Sequence, residues 1–344
     1  MKIFVTGVEG YIGSLLVPML MQKGHEVLGT DTGYYRDGWL YSDRKEFPGF
    51  AKFINKDLRH INENDLEGVD AVIHLAELSN DPLGQNNPEV THKINHMGSL
   101  NLAKLAKKVG VPRFVYTSSC SVYGAGVEGI LNESSLTNPQ TAYAECKVKV
   151  ENDVGDLADE SFTPTFLRNA TAYGASPRMR FDIVLNNLSA LAWTTKEIAM
   201  TSDGTPWRPL VHVLDICKAI VCAVEAPKEA VHNEKFNVGH DGDNYQVKEI
   251  AEIVGRTIEG CKVSFGDSGG DNRSYKVSFD KISTQLPGFS CDWTAEKGAQ
   301  QLHDVYARIA MSKETFDARP FTRLKQLMYL IETNQIDDEF FWRY

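Results

Sequence analysis

The fold is decided at the start of the chain, where residues 2–13 read KIFVTGVEGYIG. Lys2–Thr6 is an apolar run that predicts a strand, and Tyr11–Lys23 has the apolar period of a helix. Gly7, Gly10 and Gly13 lie in and just after the turn between the two. Glycines there allow a tight turn and close approach of a ligand, and backbone amides at a helix N-terminus can hold a diphosphate. The glycine spacing alone is a weak signal, but its place between a strand and a helix indicates a dinucleotide-binding site.

Short apolar runs and helical segments continue to alternate up to about residue 168. A parallel sheet with helices on both faces produces this pattern, and its ligands bind beyond the carboxyl ends of the strands. We therefore expect an α/β fold with a doubly wound parallel sheet, the Rossmann arrangement. The expected strands are Lys2–Thr6, His25–Asp31, Ala71–Leu75, Arg113–Thr117 and Thr163–Arg168, and the expected helices are Tyr11–Lys23, Pro88–Val109 and Ala142–Asp159.

The regular alternation of strands and helices weakens after Asn169, where expected loops become more frequent. A polar turn at 202–206 and a glycine-rich stretch at 266–270 are examples. We expect residues 1–168 to form the dinucleotide-binding domain and residues 169–344 to form a smaller mixed α/β lobe for the substrate. Elements that return to the first domain are expected around 205–240.

Composition limits the class of protein. The chain has 344 residues, of which 42% are hydrophobic, and a formal net charge of -10. This charge disfavours nucleic acid or anionic membrane as a partner, because those surfaces require clustered Lys and Arg. The sequence has neither a secretory signal pattern nor an apolar run long enough to span a bilayer, so we expect a soluble, cytoplasmic protein. The six cysteines lack the spacing of a zinc site or a disulfide framework, so we expect neither.

The cofactor expected in the glycine turn is NAD. Asp31 ends the second strand, where a carboxylate accepts hydrogen bonds from an adenosine ribose diol and repels a 2′-phosphate. The nearest arginine in sequence is Arg36, which does not adjoin it, so NADP is disfavoured. The other cofactor contacts expected from position are Gly7, Gly10, Tyr11, Ile12 and Gly13 in the turn, Asp57 and Leu58 after the run 53–54, and Leu75 and Ala76 at a strand end.

A candidate catalytic pair lies on the expected helix Ala142–Asp159. Tyr143 and Lys147 are spaced i, i+4, so their side chains share one face. An ammonium beside a phenol lowers the phenol's pKa and makes it a base for an alcohol proton. Such pairs also occur by chance, where the ring packs on the lysine stem. The stretch Ser118–Gly124 gives this pair weight, because it follows a strand and a hydroxyl there can polarise the alcohol that the tyrosinate deprotonates.

These motifs, in this order from Lys2 to about Lys281, resemble the extended short-chain dehydrogenase/reductases of the nucleotide-sugar epimerase and dehydratase type. The resemblance implies an NAD-dependent enzyme that acts on a nucleotide-diphosphate sugar. It also implies a homodimer that pairs through the helices 88–109 and 142–159. The same resemblance makes Ser119, Tyr143 and Lys147 the catalytic residues. Tyr143 and Lys147 are also expected to contact the cofactor, as is Asn95, which matches an asparagine near the active site. The expected substrate contacts are Ser119, Asn169, Asn187 (or its neighbour Asn186), Arg208 and Arg273, with the two arginines on the diphosphate.

The chain departs from the dehydratases of that family directly after Ser119. Those enzymes carry Asp-Glu there, whereas this chain has Cys120 and Ser121. Cys120 is either a small buried filler, as in a C4 epimerase that works through a 4-keto intermediate, or a catalytic acid or base. The second alternative implies a C3/C5 epimerase or a dehydratase. A non-enzymatic NAD-sensing protein is a third alternative, but it would not need Ser119, Tyr143 and Lys147 together.

Overall fold

The computed structural model describes residues 1–42, 52–124, 129–267 and 274–343. The described strands are β1 (Lys2–Thr6), β2 (Glu26–Asp31), β3 (Lys52–Asn55), β4 (Ala71–His74), β5 (Arg113–Ser119), β6 (Ile130–Leu131), β7 (Thr163–Asn169), β8 (Thr171–Tyr173), β9 (Glu197–Ala199), β10 (Trp207–His212), β11 (Glu234–Val238), β12 (Asn244–Gln246), β13 (Lys262–Ser264) and β14 (Lys276–Val277).

In these residues a seven-stranded parallel sheet has the order β11-β7-β5-β4-β1-β2-β3. The chain enters at β1, moves outward to β3, and then returns to β4 on the other side of β1. The direction of winding therefore reverses between β1 and β4, and ligands of such sheets bind at this point. The expected doubly wound fold is confirmed.

Helices cover both faces of the sheet. The described α-helices are α1 (Gly13–Gln22), α2 (Asp81–Asn86), α3 (Pro88–Thr91), α4 (Ser99–Lys108), α5 (Ala142–Gly155), α6 (Val184–Thr195), α7 (Val213–Glu225), α8 (Lys228–Val231), α9 (Val247–Thr257), α10 (Asp280–Gln285), α11 (Ala295–Arg308), α12 (Lys313–Asp317) and α13 (Arg323–Glu332). In the described part of the chain, no helix is long and apolar enough to cross a bilayer.

The alternation of side chains along β1 explains the two layers of helices. Ile3 and Val5 pack with residues of α1 and α7 on one face of the sheet. Phe4 points to the other face and packs with residues of α4 and α5. The central strand β4 is buried along its whole length. A strand buried on both faces has no polar alternation, which is why these strands appear in sequence as short apolar runs.

Two further cores complete the fold. Residues of β8, β10, α6, α9 and α11 form one of them, beyond the carboxyl ends of the central strands. In the other, α13 packs on the loop after β2, where the Tyr34 hydroxyl donates to the backbone oxygen of Phe340. The indole of Trp342 donates to the oxygen of Thr32 at 2.7 Å. The C-terminal segment thus covers residues that follow β2.

The expected helix Pro88–Val109 is interrupted by a π-helical turn over His92–Gly98. Inside that turn the Asn95 amide points inward and binds both backbone groups of Leu78, with distances of 2.9 and 3.0 Å. The Ser99 hydroxyl donates to the Asn95 backbone oxygen at 2.5 Å. The bonds to Leu78 connect the π-helical turn to the loop after β4, and such turns are frequent at functional sites.

Candidate active site

A cavity of about 690 Å³ lies at the carboxyl ends of β1, β2, β4 and β5. This volume falls within the range typical of small-molecule sites, roughly 300–1,000 Å³. Apart from Asn95, Cys120 and Asn186, the alternative to Asn187, every site residue expected from the sequence and included in the described ranges lines it. Arg273 lies outside the described residues. The sheet topology therefore brings most of the expected residues into one place.

The glycine turn is shaped for close approach of a ligand to the backbone. Gly7 has a φ of 75°, which disfavours other residues. A Cβ on Gly13 would lie 2.2 Å from the Gly7 carbonyl oxygen, and a Cβ on Gly7 would lie 3.0 Å from the Ala76 backbone nitrogen. With Gly10, Tyr11 and Ile12 also lining the cavity, this backbone surface fits the diphosphate of NAD.

Asp31 is fixed at the ribose end of the cavity. Its Oδ1 accepts a hydrogen bond from the Gly33 backbone at 2.8 Å, and its Oδ2 accepts one from the Glu9 backbone at 3.0 Å. Each oxygen keeps a lone pair that a ribose hydroxyl can use. Arg36 and Arg178 also approach this end, but they pair with the Glu9 carboxylate at 2.7 and 3.7 Å. Arg178 could not be placed here from its position in sequence.

Tyr143, Lys147 and Ser119 come together on one wall. Helix α5 begins after Thr141, whose side chain accepts from the Ala144 backbone at 3.2 Å, and this start places Tyr143 and Lys147 toward the cavity. The Lys147 ammonium lies 5.4 Å from the centroid of the Tyr143 ring. The Ser119 hydroxyl lies near enough to the Tyr143 phenol to lower its pKa, which favours the phenolate. The three groups can therefore act on the same alcohol.

Glu77 is a member of this wall that we did not expect. Its side chain is 2% exposed, and its Oε2 lies 2.5 Å from the Lys147 ammonium. Its Oε1 accepts a hydrogen bond from the Tyr116 hydroxyl at 2.5 Å. It follows Ala76 just beyond the carboxyl end of β4, and that position is the sequence signal that could have identified it.

The electrostatics of Tyr143 differ from the expectation based on Lys147 alone. Burial raises the pKa of Tyr143, the Lys147 ammonium lowers it, and the Glu77 carboxylate raises it again. The net direction is upward. Burial lowers the pKa of Lys147, but Glu77 and Tyr143 both raise it, and the net direction is upward. Lys147 thus has the predicted effect on the phenol, but burial and Glu77 overcome it.

Cys120 does not reach the cavity. It is 1% exposed, and its Sγ donates to the backbone oxygen of Arg168 at 3.2 Å. Burial raises the pKa of the thiol, since the nearby Arg168 guanidinium only partly compensates. The structure therefore gives Cys120 the surroundings of a buried filler rather than those of an acid or base.

The expected substrate contacts occupy another part of the lining. Asn169 has a buried Oδ1 with no hydrogen-bond partner in the described chain, and Asn187 and Arg208 also line the cavity. Asn186, the alternative to Asn187, is fully buried, and its Oδ1 accepts from the Gly174 backbone at 2.9 Å. Asn187 is thus the asparagine that faces the cavity.

Asn95 does not line the cavity but is bonded to a residue that does. Both ends of its amide are bound to Leu78, which lines the cavity. Asn95 is therefore placed to hold the loop after β4 rather than to touch the cofactor directly.

The structure also adds a charged group that sequence reasoning missed. Arg180 and Asp182 follow β8, and Arg323 begins α13, yet all three line the cavity. No motif indicates them, because the contact depends on how the C-terminal segment folds back.

Comparison with known proteins agrees with this architecture. The model of the NAD dependent epimerase/dehydratase family matches residues 3–239. The UDP-glucose 4-epimerase of Corynebacterium glutamicum is 28% identical over 314 residues, which cover 86% of this chain and 91% of that one. UDP-glucuronic acid decarboxylase 1 of Arabidopsis thaliana is 31% identical over 299 residues, which cover 83% of this chain and 65% of that protein.

Solved structures show the same fold. The UDP-glucose 4-epimerase of Thermotoga maritima, solved with UDP-glucose, has a TM-score of 0.77 at 24% identity and covers 90% of this chain and 100% of its own. MoeE5, solved in complex with UDP-glucuronic acid and NAD, has a TM-score of 0.75 at 25% identity with the same coverage, 90% and 100%. The matched residues 3–239 include the glycine turn and the wall of Ser119, Tyr143 and Lys147. The chain therefore belongs to the NAD dependent epimerase/dehydratase family, and its cofactor is NAD.

Proposed function

We propose that this enzyme inverts C4 of a nucleotide-diphosphate sugar through a 4-keto intermediate. The proposal depends on one observation. Tyr143, Lys147 and Ser119 form a wall of the same cavity that contains the glycine turn. A phenol, an ammonium and a hydroxyl in that arrangement suit the removal and return of an alcohol proton.

The residues of the chain have separate roles in this reaction. Bound NAD supplies reversible acceptance of a hydride from a sugar alcohol. The Tyr143 phenolate removes the proton of the C4 hydroxyl, Ser119 hydrogen-bonds that oxygen, and Lys147 stabilises the phenolate. Loss of the proton, together with hydride acceptance by the cofactor, would leave a ketone at C4. After the sugar turns over in the cavity, Tyr143 would return its proton to the oxygen as C4 is reduced from the opposite face.

Reaction at C3 or C5 would need a further acid or base, and the cavity gives that alternative little support. Cys120 is buried away from the lining. Among described residues near Tyr143, the Glu77 carboxylate pairs with Lys147, and Asp182 pairs with Arg180 at 2.9 Å. Asp81 accepts the Thr141 hydroxyl at 2.5 Å. Because these three carboxylates already have partners, they favour C4 epimerisation over a reaction that needs a further acid or base.

The substrate that we propose is UDP-glucose. This choice follows the relatives, since UDP-glucose 4-epimerases match most of the chain. A second candidate is oxidative decarboxylation of UDP-glucuronic acid, which the 31% identity to a UDP-glucuronic acid decarboxylase favours. This decarboxylation shares the oxidation at C4 with the epimerisation, because a ketone at C4 makes the neighbouring carboxylate easy to lose.

Proton NMR of the reaction in heavy water tests the proposal. The purified protein is incubated with UDP-glucose, UDP-glucuronic acid and other nucleotide sugars. We expect a product inverted at C4 with no solvent deuterium at C3 or C5. Deuterium at either carbon would contradict the C4 assignment, and release of carbon dioxide from UDP-glucuronic acid would identify the second candidate. No turnover of any sugar would favour an NAD-binding protein without catalysis.

A further inference from the structure

The charged side chains that line the cavity include Arg180, Asp182 and Arg323, which the proposed reaction does not use. Arg180 is 8% exposed and Arg323 is 2% exposed. Arg323 lies beyond residues 3–239, so the family match does not include it. Buried charges are expensive unless they are paired, so the partners of each group decide what it can do.

Arg180 and Asp182 satisfy each other. The Arg180 Nε and Nη2 atoms donate to the two oxygens of Asp182 at 2.9 and 3.1 Å. Nη1 of Arg180 donates to the Ser79 hydroxyl at 3.2 Å, and Asn80 donates to Asp182 at 2.9 Å. The charge of Arg180 is therefore balanced within the protein.

Arg323 has no such balance. Its guanidinium lies 4.1 Å from the centroid of the Tyr35 ring, and only its backbone nitrogen contacts Asp182, at 3.3 Å. In the described ranges, its Nη1 has no hydrogen-bond partner and its guanidinium has no carboxylate in ion-pair contact. The Tyr35 hydroxyl is likewise buried without a partner there. Burial and the charge of Arg180 lower the pKa of Arg323 to about 10, so it remains a cation at neutral pH.

The position of these groups indicates their ligand. The Arg323 guanidinium lies on the ring of Tyr35, in the loop that follows Asp31, and Arg180 donates to Ser79, in the loop that follows Glu77. The pair therefore lies between the ribose end of the cavity and the catalytic wall. The diphosphate of a dinucleotide lies between these two ends of such a cavity. The glycine turn offers it backbone amides but no cationic side chain.

We propose that Arg323, held beside Arg180, forms a diphosphate subsite in which its buried Nη1 donates to a phosphate oxygen. The diphosphate could come from NAD or from a nucleotide-diphosphate sugar, and the position between Asp31 and Tyr143 favours NAD. The ligand supplies the counter-charge that the protein lacks, and a guanidinium suits phosphate oxygens. The C-terminal segment is then part of the cofactor site. This inference depends on cofactor binding and not on the sugar reaction.

The test compares Arg323→Met with Lys325→Met, which removes an exposed charge from the same helix. Both variants and the parent are freed of bound nucleotide and titrated by calorimetry with NAD, ADP, adenosine and UDP-glucose. Charge-assisted hydrogen bonds have typical strengths that correspond to roughly a ten- to hundredfold loss of affinity. We expect that loss for NAD and ADP with Arg323→Met only, with adenosine unchanged. The nucleotide-free melting temperature of Arg323→Met should not fall, because an unpaired buried charge has been removed.

Each other outcome has a definite meaning. A loss confined to UDP-glucose would keep the subsite but assign it to the diphosphate of the substrate. Unchanged affinity for all four ligands would overturn the subsite. A lower melting temperature together with equal losses for adenosine and ADP would show that Arg323 is a structural anchor, and this would also overturn it. The proposed sugar chemistry is unaffected by any of these results, because none of them measures turnover.

Discussion

At the scale of single residues, the chemistry of Tyr143 depends on two buried side chains of opposite charge, Lys147 and Glu77. The Lys147 ammonium lies between the phenol and Glu77, and it also donates to the Thr117 oxygen at 2.5 Å. Lys147 favours the phenolate and Glu77 opposes it. The carboxylate therefore positions the lysine and at the same time limits how far the lysine activates the base.

Replacement of Glu77 by Gln tests this balance. The amide can still accept a hydrogen bond from Lys147, but it removes the negative charge that raises the pKa of Tyr143. The pKa of the phenol should fall, so the rising limb of kcat against pH should move to lower pH. A purely structural role for Glu77 would change the amount of active enzyme and leave the position of that limb unchanged.

Replacement of Cys120 by Ala separates the two mechanisms. The thiol is buried and bonded to the Arg168 backbone, so we expect near-normal turnover and a stability loss of about 1 kcal/mol in chemical denaturation. If turnover vanishes while NAD and substrate still bind, Cys120 is an acid or base and the C4 assignment is wrong.

At the scale of elements, the end of β2 and the charges around it determine which cofactor fits. Asp31 ends β2 and keeps lone pairs toward the cavity, whereas Arg36 and Arg178 are paired with Glu9. A 2′-phosphate would meet the Asp31 carboxylate. We therefore expect calorimetry to show NADP binding at least about tenfold more weakly than NAD. Equal or tighter binding of NADP would show that Glu9 releases an arginine to the phosphate.

Most of the sheet could be predicted, because strands buried on both faces leave apolar runs in the sequence. The glycine turn, Tyr143 and Lys147 could also be predicted, since each depends on local spacing. The π-helical turn at His92–Gly98 could not, because it accompanies bonds from Asn95 to a distant loop residue, Leu78. Arg323 could not be predicted either, because only the returning C-terminal segment brings it to the cavity.

At the scale of the whole molecule, the faces of α4, α5 and the π-helical turn are the surface that we expect to form a homodimer. Met97 in this turn is 48% exposed, which suits a self-complementary contact. Light scattering at micromolar concentration should give twice the mass of the chain, and Met97→Asp should shift it toward the monomer because it places like charges in the contact. Ile130→Asp, at a position 65% exposed on β6, is the matched control and should leave the dimer intact. A monomeric parent protein would contradict the expectation.

UDP-glucose deuterated at C4 tests whether C4 is oxidised and reduced again within one site. NMR of the reaction in ordinary water should show a C4-inverted product that keeps its deuterium at C4, because the label leaves and returns without meeting solvent. Tyr143→Phe should bind the same substrate but lose about 10²–10⁴-fold in turnover, since the ring remains and the base is gone. A product that has lost its C4 label to water would contradict oxidation and reduction at C4 within the site, and inversion at the parent rate in Tyr143→Phe would contradict the role of Tyr143 as the base.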